Sequence, residues 1–164
     1  MKILLYISVI IPVLLSAQSI IELDIGAKLD KSLTSNKNEM ILTHPSQFRP
    51  FIIMTLDSVD YKVAYNKETL EIKYIHTDDK DFLTEDSLRI GSIIVLKRNQ
   101  ILEYPGWEIR SNILNNGWYP IIGYDLPDII TENDTIVSNP LSQYLYHNKE
   151  YESFKIVGFS KGGN

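Results

Sequence analysis

The densest group of side chains able to do chemistry is Asp78, Asp79, Asp81, Glu85 and Asp86, preceded by His76. Alternating carboxylates in one loop can supply the oxygens that calcium requires, which makes Asp78, Asp79 and Asp81 the metal candidates. The EF-hand pattern needs glycine after its third ligand. Phe82-Leu83 occupies that region, so the stretch reads equally as a solvated acidic loop. His76 and Asp78 could be two ligands of a zinc site, but His44 and His147 are far away in sequence and no HExxH spacing occurs. Nucleophilic catalysis finds no frame: G-x-S-x-G is absent, and Ile90-Gly91-Ser92 lacks the trailing glycine. Carboxylate pairs for glycoside hydrolysis meet in three dimensions and leave no spacing to read. Gly26 and Gly91 are lone glycines, not phosphate-cradling loops. These residues assign no catalytic group and no cofactor.

The aromatic residues are a second kind of candidate. Trp107, Trp118, Tyr119 and Tyr124 lie along one hairpin, and Tyr144, Tyr146 and Tyr151 lie near the C-terminus. Aromatics bury large areas, so many belong to the core. Tryptophan and tyrosine also dominate contact hot spots, so Trp107, Trp118, Tyr119 and Tyr124 are the candidate binding residues for a protein or carbohydrate partner. Trp118 and Tyr119 are neighbours on a strand and must point to opposite faces; one is expected in the core and the other outside.

Composition narrows the class. Residues 1–17, MKILLYISVIIPVLLSA, have a basic start, an apolar run too short to span a bilayer, and small residues at Ser16-Ala17. This is the pattern of a secretory signal peptide, followed by one domain over residues 18–164 with no further membrane span. The formal net charge of −5 and the lack of a basic run disfavour nucleic acid. With no cysteine, thiol catalysis and cysteine-bound metal are excluded, and the exported chain must rely on its core alone.

The elements that must position these residues are mostly strands. Phe51–Leu56, Tyr61–Tyr65 and Leu70–Tyr74 are β-branched, apolar or alternating runs separated by Asp57-Ser58 and Asn66-Lys67-Glu68, which predicts an antiparallel meander. Asn115-Asn116-Gly117 predicts a hairpin with a two- or three-residue loop. Pro120 is expected at an edge or a non-bonding position. Ile93-Ile94-Val95 favours a strand by propensity, while Ser92 as N-cap with Val95, Leu96, Asn99 and Leu102 fits a helix, and the helix is the reading adopted. Ser153–Phe159 predicts a last strand, and Gly162-Gly163-Asn164 is expected to fray. Ile25-Gly26-Ala27 and Ile90-Gly91-Ser92 stand in the same relation to later apolar residues, which suggests half-repeats over 19–76 and 84–160. The expected fold class is α+β: a mostly antiparallel sheet with one or two short helices.

Leu88-Arg89-Ile90-Gly91-Ser92, after the acidic Phe82–Asp86 and before the glycine-tryptophan steps Gly106-Trp107 and Gly117-Trp118, resembles small secreted bacterial domains. They are similar to the tandem helix-plus-sheet group of β-lactamase-inhibitor proteins and SmpA/OmlA-like outer-membrane lipoproteins. The likeness covers Leu23–Leu33 and Thr84–Tyr124. It departs in having Pro105-Gly106 where that group often has glycine-proline, and in lacking the inhibitors' disulfides. The resemblance implies binding, as inhibitor or envelope component, rather than catalysis.

Asp57-Ser58-Val59, Asp86-Ser87-Leu88 and Asp134-Thr135-Ile136 also match a short O-glycosylation pattern, and Asn133-Asp134-Thr135 is an N-glycosylation sequon. The function expected from all of this is an exported, periplasmic or extracellular binding module without catalysis. A structural envelope protein and a small hydrolase acting on carbohydrate or peptide are the alternatives.

Overall fold

The computed structural model describes residues 23–34, 39–44, 47–97, 100–104, 108–124, 143–146 and 151–163. The expected signal peptide, Trp107 and the sequon at Asn133 lie outside them. Among the described residues eleven strands follow in chain order: β1 (Met40–His44), β2 (Gln47–Leu56), β3 (Val59–Tyr65), β4 (Ile72–Thr77), β5 (Ile93–Lys97), β6 (Gln100–Glu103), β7 (Ile109–Arg110), β8 (Tyr119–Gly123), β9 (Gln143–Tyr146), β10 (Tyr151–Lys155) and β11 (Gly158–Gly162). Nine form one sheet in the order β1-β2-β3-β4-β11-β8-β7-β6-β9, and β10-β5 makes a separate ribbon. All pairings are antiparallel. The large sheet curls into a half-barrel.

This corrects the α+β expectation: 54% of the described residues are in strands and 3% in a helical turn. The helix expected after Ser92 is strand β5, whose burial alternates residue by residue with Leu96 fully inside. A period of two, backed by the stiff β-branched Ile93-Ile94-Val95, outweighs the loose helical spacing. Ser92 does not open a helix; its Oγ accepts the N–H of Arg89 at 3.0 Å. The other expected helix is a single 3-10 turn, Lys31–Leu33, capped by Asp30, whose Oδ1 accepts from Ser32 N at 2.8 Å.

The meander is present as β2-β3-β4. Asp57 and Ser58, with φ of 50° and 67°, close its first turn. Asn66 Oδ1 accepts from the N–H groups of Glu68 and Thr69 and closes the second. The loop of the later hairpin has three residues, since Leu114 N donates to Trp118 O around Asn115-Asn116-Gly117. Gly117 takes the positive φ of 81° that such a loop needs. Pro120 is not at an edge: β8 lies between β7 and β11, and the Pro120 carbonyl accepts from Ser111 N at 2.9 Å. The predicted last strand is two, β10 and β11, parted by Ile156-Val157. Gly162 and Gly163 do not fray; Gly162 belongs to β11 and Gly163 is buried.

The two Ile-Gly-small steps fold alike. Ala27 N donates to Asp24 O and Ser92 N to Arg89 O, each around a glycine with φ near +90° (89° at Gly26, 87° at Gly91). Each turn then docks on a later isoleucine: Gly26 N to Ile72 O with Ile72 N to Ala27 O, and Gly91 N to Ile156 O with Ile156 N to Ser92 O. The shared sequence step therefore codes a shared turn, not the start of a helix.

One face of the sheet packs Ile52, Met54, Val63, Ile72 and Ile75 against Leu29 and Trp118. This core continues into Val59, Phe82, Ile156 and Phe159. The opposite face is where the polar side chains meet.

Candidate functional site

Four neighbouring strands bring a polar cluster together. β4 supplies Tyr74 and His76, β11 supplies Ser160, β8 supplies Tyr119, and β7 with the residue before it supplies Arg110 and Glu108. Register aligns Lys62, His76, Ser160 and Tyr119 in one row across β3, β4, β11 and β8. Directly opposed residues share a face, so these side chains all rise from the same side. β4 and β7 are three strand steps apart, about 14 Å in a flat sheet. Yet Tyr74 Oη donates to Glu108 Oε2 at 2.7 Å, so this face is the concave one.

Glu108 is the centre. Its Oε1 accepts from Arg110 Nε at 2.6 Å and from Ser160 Oγ at 2.8 Å, and its Oε2 lies 3.6 Å from His76 Nδ1. Arg110 Nη1 donates to the Gly162 carbonyl at 2.9 Å, and the guanidinium sits 5.0 Å from the Tyr119 ring centroid. Glu108, Arg110, Tyr74 and Ser160 have no exposed surface. Burial pushes the Glu108 carboxyl up. Hydrogen bonding with His76, the Arg110 and His76 charges and the Tyr74 hydroxyl outweigh it and hold the group at about 2. The same burial, with Glu108 beside it, drives the Tyr74 phenol well above its ordinary value. Arg110 Nη2 is buried with no hydrogen-bond partner among the described residues.

A line of contacts runs from this centre to the surface. His76 Nε2 stands 3.9 Å from Asp78 Oδ2, which pairs with Lys62 Nζ at 3.1 Å. Tyr124 flanks His76 with ring centroids 6.5 Å apart, and its phenol is pushed up to about 12 by burial and by the Asp78 and Glu108 charges.

As chemistry the cluster is a fastener. Ser160 gives its hydrogen bond to a carboxylate held ionised, a weak base, and not to His76. The donors around Glu108 tie β4, β11 and β7 across the curl.

The sequence candidates are dispersed around it. Tyr119 covers Arg110, while Trp118 points the other way, 4.9 Å from Phe82 and 6.2 Å from Tyr61. The two neighbours do take opposite faces, but both faces are covered and both residues are half-buried. Tyr124 is partly exposed beside His76. Trp107 lies outside the described residues. Asp78 is engaged by Lys62, and Asp79 accepts the N–H groups of Asp60 and Asp81 at 3.0 Å each. No group of three metal-ligating side chains forms among the described residues. No helix among them is long and apolar enough to cross a membrane.

Glu108, Arg110 and Ser160 were not candidates from the sequence. The available signal was Glu108-Ile109-Arg110: opposite charges two apart on a strand, hence on one face. No known family profile, curated protein or solved structure matches the chain.

Proposed function

We propose that the chain is an exported, non-catalytic binding module that takes a protein partner at the β1 edge of its large sheet. The observation that carries this is Phe48, 61% exposed, with Met40 half exposed, on the edge pair β1–β2. β1 pairs only with β2 among the described strands. Register opposes Met40 to Pro50 and Leu42 to Phe48, so an apolar strip continues the core face out to the edge. An extended segment of a partner can add to such an edge, main chain supplying affinity and apolar side chains selectivity. Export is supported by residues 1–17. The hydrolase reading has less support, because Ser160 is sealed and bonded to an ionised carboxylate.

The test is a photo-crosslinking residue at position 48, with Lys67, exposed in the β3–β4 turn, as control, expressed in the native envelope. A discrete adduct at 48 and none at 67 is expected. Equal labelling at both positions, or none at either, overturns the proposal.

A further inference from the structure

The β5–β10 ribbon has one face inside and one outside. Leu96 is fully buried and Ile94 packs on the core, while Ile93 and Val95 are 54% and 52% exposed and Lys97 points outward with them. Register sets Lys155 opposite Ile93 and Ser153 opposite Val95, so these share the outer face. Neither Lys97 nor Lys155 makes an ion pair among the described residues. The ribbon thus presents two branched apolar side chains between two cations that have no ion-pair partner among the described residues, on a chain whose net charge is −5.

Its complement adjoins it. Leu83 is 62% exposed between Asp81 and Glu85-Asp86, and those three carboxylates also make no ion pair among the described residues. Leu83 bridges Arg89, Thr84 N donates to Leu88 O, and Gly91 N donates to Ile156 O at the ribbon's end. Phe82, Leu88, Ile90, Ile94 and Ile156 share one core cluster beneath. The acidic segment is therefore fixed beside the basic ribbon.

We propose that this pair of patches is an interface for a second copy of the chain, related by a two-fold axis. In such an isologous contact each basic ribbon meets the other copy's acidic segment, and the match is made twice. Ile93, Val95 and Leu83 would leave water together, and the charges would set the register. Bulk charge repels two copies, so the local attraction must overcome it, and salt must weaken the contact through screening. The surface is distinct from the β1–β2 edge, so either proposal can fail without the other.

The experiment is sedimentation velocity on residues 18–164 from micromolar to submillimolar concentration. Two charge-reversed chains are compared: Lys97→Glu with Lys155→Glu, and Glu85→Lys with Asp86→Lys. The natural chain is expected to dimerise, and raising salt from about 0.1 M to about 1 M should dissociate it. Each reversed chain alone should associate about tenfold or more weakly, since like charges then face each other. Mixed in equal amounts they should form a heterodimer, because both contacts become complementary again. That rescue also shows that both variants are folded. A natural chain monomeric throughout overturns the proposal, as do reversed chains that dimerise like the natural one, or a mixture that fails to.

Discussion

Glu108 Oε1 receives the Arg110 Nε–H at 2.6 Å with neither side chain reaching solvent, although the residues stand only two apart, Arg110 on β7 and Glu108 just before it. Alternation puts them on the same face, and the curl of the sheet closes that face over them. A buried pair of this kind gains little over a well-packed apolar substitute, but losing one partner strands the other charge. Arg110→Met should therefore cost about 3–5 kcal/mol, and Glu108→Gln a similar amount. The double variant should cost less than the two singles added, because it leaves no unpaired charge. Urea unfolding of the three variants measures this; additive losses would show that the two residues act independently.

The same carboxylate sets an acid limit. Glu108 ordinarily titrates near 4.5 and is held at about 2 in the fold. Its folded value is the lower one, so its contribution is complete above about pH 4.5 and drains away as pH falls toward 2. The amount at stake is on the order of 3 kcal/mol. Stability measured by denaturant from pH 6 to pH 2 should drop across that window. In Glu108→Gln the drop should be shallower by this amount. An unchanged acid slope would mean that other carboxylates control the transition.

What could be read beforehand follows from which interactions are local. The meander and the hairpin were legible because Asp57-Ser58, Asn66 and Asn115-Asn116-Gly117 fix their turns within a few residues. Strand β5 was misread because Ser92 and a few apolar positions imitate a helix start, while its pairing with β10 comes from residues 54 or more positions later (Lys97 with Tyr151). The polar cluster was illegible for a related reason. Charges flanking Ile109 ordinarily mark a solvent face, and only a sheet covered on both sides buries Ile109 and its two charged neighbours together. Trp118 and Tyr119 illustrate the same limit: period two separates their faces, but not which faces are covered.

Two glycines with positive φ separate backbone strain from crowding. A Cβ at Gly162 would stand 2.5 Å from Lys73 O and 2.6 Å from Ile25 Cδ1, whereas one at Gly91 would meet nothing within 4 Å. Gly91→Ala should cost only the left-handed penalty, about 1–2 kcal/mol. Gly162→Ala should cost about 3 kcal/mol or more, since β11 must shift away from the carbonyl in front of it. Thermal unfolding of both variants makes the comparison, and equal losses would refute the crowding at Gly162.

The last prediction concerns the two faces of the hairpin. Trp118 packs against Phe82 with its ring tilted by 58°, and Phe82 is itself 5.0 Å from Phe159, so Trp118→Ala should remove packing from the convex core and cost about 2 kcal/mol for a half-buried aromatic. Tyr119 acts through a different partner, the guanidinium of Arg110 under its ring. Tyr119→Leu keeps most of the apolar contact and should cost about 1 kcal/mol through the lost cation–π attraction. Because that attraction needs the cation, Tyr119→Leu should cost almost nothing further in an Arg110→Met background, whereas Trp118→Ala should cost the same in either background. Denaturant unfolding of the four combinations decides it. If Tyr119→Leu costs as much without Arg110 as with it, the ring contributes by packing alone and the cluster ends at Arg110.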